Sequence, residues 1–194
     1  ADSMINHFWD EEEKSFFFTS DDHENLIIRT KNFYDLAIPS GNSMAAYALL
    51  RLHFMTQNYD YLDKAELIVK SSYRAALGNP FGFGQLLISL YLYFKKPIEI
   101  IILQNKNKEH KNSEIESWIM KEFIPNGLIL TLKYPSEEPQ RLLSTNMFTV
   151  LKGKKIDVTD ENKAKDCVYV CKDFTCSLPM YSLSDLKKYF NDNK

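Results

Sequence analysis

The chain lacks the features that would assign it to several large functional classes. It has no strong excess of charge of either sign: 24 basic against 26 acidic residues leave a formal net charge of −2, with a pI of about 6.1. Twenty lysines against four arginines, spread along 194 residues, form no basic face. Nucleic-acid binding and attraction to an anionic membrane are therefore not expected. No long hydrophobic run is present. The longest, Leu86 to Phe94, is interrupted by Ser89 and stops at Lys95-Lys96, and nine residues cannot span a bilayer. No G-x-G-x-x-G follows the apolar run at 98–103, and neither a Walker A pattern nor a G-x-S-x-G elbow occurs. No cofactor is expected on those grounds. Cysteine is scarce and odd in number, which does not fit a secreted disulfide scaffold. The first ten residues lack a charged segment followed by an apolar one, so no signal peptide is read. The expectation is a cytoplasmic protein. The opening Ala1 suggests a fragment or a processed piece.

What is present is an ordinary globular composition, 44% hydrophobic and 26% charged. The first half reads as helical. Residues 1–10 resemble the tail of a helix. Residues 42–57 are apolar almost all round, from Met44 to Met55, as expected of a helix buried among others. A stripe of Leu62, Ala65, Ile68, Val69, Tyr73 and Ala76 predicts a helix over 60–77, ended by Gly78-Asn79-Pro80. Leu87, Leu90, Tyr91 and Phe94 predict a third over 83–95. Short links between them imply αα-hairpins. Two β-prone runs, Phe16 to Thr19 and Leu26 to Arg29, flank six polar residues and predict a hairpin with a long tip.

After Pro97 the pattern changes. Ile98 to Leu103 is a buried-strand run, and a charged loop follows it. A capping box at Ser113 to Glu116 opens a helix to about Ile124, and Leu128 to Lys133 is a second strand. That spacing suits a βαβ crossover. A helix over about 138–151, a polar loop over 152–166, a strand from Cys167 to Cys171 and a helix from Ser182 to Phe190 complete the chain. Two regions result, 1–97 and 98–194.

Three groups of residues could carry chemistry. The first is the loop Thr19 to Glu24, where Asp21, Asp22, His23 and Glu24 offer acids, bases or hard-metal ligands, or simply a solvated tip. Trp9, Phe16, Phe17, Phe18, Phe33 and Tyr34 crowd the same stretch. Aromatic faces with carboxylates are a common way to build a sugar-binding cleft, and polar groups in an apolar cleft are the general pattern of ligand sites; core packing explains the aromatics equally. The second is Tyr34 to Ser43, a polar turn leading into the apolar helix. Asp35 and Asn42 either brace that helix or, with Ser40, face a ligand at its N-terminus. The third is the cysteine group. Cys167 and Cys171 on one strand would lie about 13 Å apart, too far for a disulfide. A tight hairpin could bring Cys171 and Cys176 into range, or all three are plain thiols. Neither spacing is C-x-x-C, and zinc would need a second ligand pair that is not evident, so no metal is expected.

Three separated motifs then carry a resemblance. Phe8-Trp9-Asp10 with Phe16-Phe17-Phe18-Thr19-Ser20-Asp21-Asp22-His23-Glu24, Tyr34 to Ser43, and Val168 to Pro179 resemble, in this order, the YyaL-like family of thioredoxin-domain-containing proteins, which includes the spermatogenesis-associated homologues. One position departs: Lys14-Ser15 stands where the family has Gly-Gly. The resemblance implies a chain that is mainly α with a small α/β part. It would be a partial (α/α)6 toroid of the six-hairpin glycosidase-like kind over 1–97, with a β-hairpin insertion, followed by a βαβ-containing C-terminal segment. It implies a C-terminal portion whose open toroid is covered by the missing N-terminal part of the same protein or by another chain. Two functions follow. In one, the segment contributes to a glycosidase- or epimerase-like cleft for a sugar, with Asp22 and His23 as acid and base and with Tyr34, Asp35, Ser40 and Asn42 positioning substrate. Asp21 and Asp22 could not form an inverting pair, because neighbours in an extended hairpin face opposite ways. In the other, the toroid is a non-catalytic scaffold or redox accessory, and Cys171 and Cys176 exchange with the thioredoxin-like domain.

Overall fold

The computed structural model describes residues 1–24, 27–105, 114–134, 148–152, 154, 166–173 and 175–192. The chain is mainly α with a small sheet and divides into two compact units, Ala1–Lys95 and Lys96–Lys194.

The first unit begins with helix α1 (Asp2–Phe8) and a two-stranded ribbon, β1 (Trp9–Asp10) and β2 (Ser15–Phe16). Trp9 pairs with Phe16 and Asp10 with Ser15. This differs from the expected hairpin. The Phe run pairs backwards onto Trp9, and the Trp9 and Phe16 rings meet edge to face at 4.9 Å. The backbone N–H and C=O of Phe16 are also taken by the Asn42 side chain. Among the described residues the Phe18 N–H donates to the carbonyl of Thr30, just past the second run, and Ile27 and Ile28 are exposed. Lys14, in the turn between β1 and β2, has φ of 55°. That left-handed backbone is the kind glycine adopts freely.

Three helices follow: α2 (Gly41–Thr56), α3 (Tyr59–Gly78) and α4 (Gly84–Lys95). Ser40 caps α2 by accepting the Ser43 N–H at 3.1 Å, and Asn58 caps α3. Gln57 ends α2 in the left-handed conformation, and two residues suffice to turn the chain into α3. Ala45, Ala46, Leu49 and Leu50 of α2 form a core with Ala65 and Ile68 of α3 and with Phe83, Leu86 and Leu92. Each such Leu or Ile, fully buried, contributes about 2 kcal/mol. The buried face of α4 is not the expected one. Leu86, Ser89 and Leu92 point inward, whereas Leu87, Tyr91 and Phe94 are exposed. The helix is apolar on nearly every side, so periodicity alone could not choose. Ser89 satisfies its hydroxyl on the Gln85 carbonyl, which lets a polar residue take a core position. Tyr73, expected in the α3 stripe, is exposed as well.

The second unit is a four-stranded sheet in the order β4-β3-β5-β6, with β3 (Ile98–Asn105), β4 (Gly127–Tyr134), β5 (Cys167–Lys172) and β6 (Thr175–Cys176). β3 and β4 are parallel through α5 (Glu114–Ile119), the expected crossover, with the helix ending sooner than its sequence suggests. β5 returns antiparallel beside β3. Ile100, Ile102, Val168 and Val170 face Ile115 and Ile119 of α5 and Leu186 of the terminal helix α6 (Leu183–Asp192). Alternation along the strands puts Glu99, Ile101, Leu103, Cys167, Tyr169 and Cys171 on the opposite face. The expected helix over 138–151 lies outside the described residues except for a single 3-10 turn at Thr149–Leu151, and most of the expected loop over 152–166 also lies outside them.

Asn42 is the tie that orders the first unit. Replacing it by Ala leaves the Phe16 N–H and two carbonyls without their partner, so Asn42→Ala should cost about 3 kcal/mol in urea unfolding. Asn42→Asp should not restore it, because a carboxylate cannot donate to those carbonyls.

Candidate functional site

A cleft of about 240 Å³ opens at the N-terminus of α2. Its walls are Met4 and Phe8 of α1, the run Phe16 to Phe18, and Asn32, Gly41, Asn42 and Ala45. Asn42 builds it. Its Oδ1 accepts the Phe16 N–H at 2.7 Å, and its Nδ2 donates to the carbonyls of Phe16 at 2.9 Å and Asn32 at 3.0 Å. Both amide hydrogens are thus used, and one lone pair of Oδ1 is left. Beside the cleft, the Phe17 ring carries two cations: the Arg29 guanidinium at 4.1 Å and the Lys31 ammonium at 4.5 Å. Arg29 also donates to the carbonyls of Thr19 and His7, and Lys31 pairs with Asp10 and with Glu13. The Lys31 hydrogen bond holds the Asp10 carboxyl below the usual carboxylate range. Sequence reading missed Arg29 and Lys31; basic residues two apart, downstream of an aromatic run, were the available signal.

The other sequence candidates are placed differently. Tyr34 leans on Phe83, with ring centres 4.9 Å apart, and is close enough that a Cβ on Gly82 would meet it at 3.1 Å. Asp35 ties two helix starts together: its carboxylate accepts the Ser40 N–H and the Gln85 N–H, each at 2.8 Å. Ser40 is buried and occupied with Ser43. Asp35 and Ser40 therefore brace helices, and Asn42 both braces and lines the cleft.

Asp22 and His23 lie in an exposed bend. Asp22 accepts a hydrogen bond from the Ser20 hydroxyl, which holds its carboxyl below the usual range. It is a carboxylate at neutral pH, suited to accept a proton or hold a cation and not to donate. His7, which the sequence left without a partner, meets the same bend. Its Nδ1 lies 2.8 Å from Asp21 Oδ1, and that hydrogen bond raises its pKa, with help from the charge of Asp22. One ligand atom from each of His7, Asp21 and Asp22 lies within 4.8 Å of the others. Adjacent Asp21 and Asp22 thus both bring a carboxylate near one imidazole. The opposite-face expectation fails because the segment is a bend and not a strand.

In the second unit Cys171 and Cys176 are register partners and are joined by a disulfide. The Asp173 turn, with φ of 49°, folds β6 back on β5. Cys171 is buried and Cys176 exposed. Lys154 places its Nζ 3.2 Å from Cys176 Sγ. Glu99 sits directly opposite Cys171 on β3, and burial pushes its carboxyl up to about 7, against the pull of Lys154. Cys167 is a buried free thiol, pushed up to about 11 by burial and by the neighbouring Asp166. No sequence signal pointed to Glu99 or Lys154, because the first depends on strand register and the second on a segment distant in the chain.

No family model matches the chain. Individual proteins do. The chain is similar to spermatogenesis-associated protein 20. The human protein is 23% identical over 188 residues, 96% of this chain and 23% of that protein. The Rattus norvegicus protein is 23% identical over 182 residues, 93% of this chain and 22% of that protein. An uncharacterized Caenorhabditis elegans protein is 22% identical over 184 residues, 95% of this chain and 23% of that protein. The chain therefore spans about a quarter of the length of these curated relatives. Among the described residues no helix is long and apolar enough to cross a membrane.

Two titrations test this electrostatic picture. By NMR, the His7 imidazole should titrate above the ordinary histidine value, and Asp21→Asn should move it down. Glu99 binds its proton more tightly folded than unfolded. Its contribution is fully present below the unfolded carboxyl value and is lost as pH rises toward 7. After allowance for solvent screening, the chain should lose about 1–2 kcal/mol between pH 5 and pH 8 through this group. Urea midpoints for Glu99→Gln should stay flatter over that range.

Proposed function

We propose that this chain is the C-terminal portion of a larger helical protein of the kind represented by spermatogenesis-associated protein 20, and that its first unit supplies part of a cleft that binds a sugar or sugar derivative. The observation that carries this reading is the cleft itself. It is a hollow of about 240 Å³ walled by Phe8 and the Phe16–Phe18 run at the start of α2. Aromatic faces suit the apolar faces of a pyranose ring, and the remaining lone pair of Asn42 Oδ1 suits a hydroxyl.

The helices of the first unit are read as hairpins of a partial (α/α) toroid. Two facts support that reading. Leu87, Tyr91 and Phe94 follow one another at helical spacing on α4 and are exposed, as an unpartnered packing face would be. The chain also covers about a quarter of its relatives, which leaves ample sequence for the helices that would cover that face. In this reading the bend after the Phe run supplies the acid–base groups. Asp22, held ionised, acts as a base, and His23 or His7 exchanges the proton. The opposing carboxylic acid of a glycosidase-type pair would come from the remainder of the protein.

Saturation-transfer NMR against a panel of neutral pyranoses and sugar phosphates tests the proposal, on this chain and on the full-length protein. Binding is expected at the cleft, and Phe18→Ala should weaken it about fivefold through loss of ring contact. Sugar binding untouched by Phe18→Ala and Phe8→Ala would place the ligand elsewhere. No sugar bound by either protein would remove the reading. Asp22→Ala and His23→Ala should leave affinity nearly unchanged and abolish any turnover.

A further inference from the structure

We infer that the Cys171–Cys176 bridge is an exchanging disulfide, reduced by an external dithiol, with Lys154 holding the Cys176 thiolate and Glu99 protonating Cys171. The inference rests on the second unit alone and is independent of the sugar cleft.

The argument is one of placement. The bridge joins β5 to the edge strand β6, and its two cysteines are unequal in exposure. Cys176 is exposed, whereas Cys171 is 1% exposed. Each has its own ionisable neighbour. Lys154, itself only 8% exposed, reaches Cys176 Sγ at 3.2 Å. Glu99 projects from the central strand at the position directly opposite Cys171, where side chains on one face stand about 5 Å apart. A disulfide that only staples a hairpin needs neither group. Burying an ammonium and partly burying a carboxyl costs stability, so their convergence on the two ends of one disulfide calls for a use. Burial raises the Glu99 carboxyl to about 7, which lets it carry a proton at neutral pH. Lys154 is the charged group acting on Glu99. At the hairpin turn Lys96 and Asp173 pair with each other at 3.3 Å, and Asp166 lies beside Cys167 at the start of β5.

The exchange balances as follows. A thiolate of the dithiol attacks the exposed Cys176 Sγ, forming a mixed disulfide and breaking the Cys171–Cys176 bond. The electron pair leaves on Cys171 Sγ, which takes the proton of Glu99. The second thiolate of the dithiol attacks its own partner sulfur, closes the donor disulfide and expels Cys176 as a thiolate beside the Lys154 ammonium. Glu99 regains its proton from water. The donor is oxidised by two electrons and the cysteine pair is reduced by two.

The test is reduction of the folded chain by dithiothreitol, followed by alkylation and mass measurement, with near-UV circular dichroism as the check on folding. Two thiols should appear while the fold persists, and Cys167, buried, should stay unlabelled. Glu99→Gln should slow reduction about tenfold near neutral pH. Lys154→Met should slow iodoacetamide labelling of Cys176 in the reduced chain about tenfold, by lowering its thiolate fraction. Reduction that occurs only as the fold is lost would make the bridge a staple and overturn the proposal. So would wild-type rates in both variants. If either variant fails to fold, the pH profile of Cys176 labelling in the unmodified chain decides: a midpoint below about 8.5 supports the site, and one at or above it overturns it.

Discussion

The first unit depends on the side-chain amide of Asn42. One residue at the start of α2 accepts from the backbone of Phe16 and donates to Phe16 and Asn32. Without it the aromatic run would have unpaired backbone groups in a buried place, a cost of several kcal/mol. With it, the run is laid across the helix start as a wall, and the strand pairing suggested by local β-propensity is redirected onto Trp9. Asp35 does comparable work one turn away, linking the starts of α2 and α4 through one carboxylate. Bracing and cleft-building are therefore done by the same short polar segment, and a residue there cannot be classed as structural or functional by type alone.

The second unit uses a different constraint, the two-residue period of a strand. β3 is the central strand, paired on both sides, and its alternation divides the unit. Ile100 and Ile102 go to the helices, while Glu99 goes to the face that holds the disulfide. A shift of one residue in the β3–β5 register would move Glu99 among the apolar side chains under α5 and α6. The hydrophobic face fixes the register, and the register fixes which acid meets which cysteine. The chemistry of the disulfide face thus follows from the packing of the other one.

The two units share a way of placing ionisable groups. In each, an acid feels the charge of a base that lies far from it in the chain: Asp21 hydrogen-bonds His7 in the first, and Glu99 is acted on by Lys154 in the second. The exposed pair tunes a proton affinity at little cost to folding. Glu99, partly buried, has its protonation state linked to folding.

The described helices and the parallel strand pair with its crossover were legible in the sequence, because periodicity, caps and turn residues act within a few positions of one another. For Cys171 and Cys176 the sequence left a hairpin disulfide and plain thiols as alternatives. What the sequence left open was direction. On α4, apolar all round, only packing chose Leu86 and Leu92 over Leu87 and Tyr91. In the acidic loop, only a bend brought Asp21 and Asp22 to His7. Around the disulfide, only strand register and a distant turn supplied Glu99 and Lys154. Local order is encoded by neighbours in the chain, whereas partners brought together by folding are chosen by which surfaces can be buried at once, and that choice belongs to the tertiary structure.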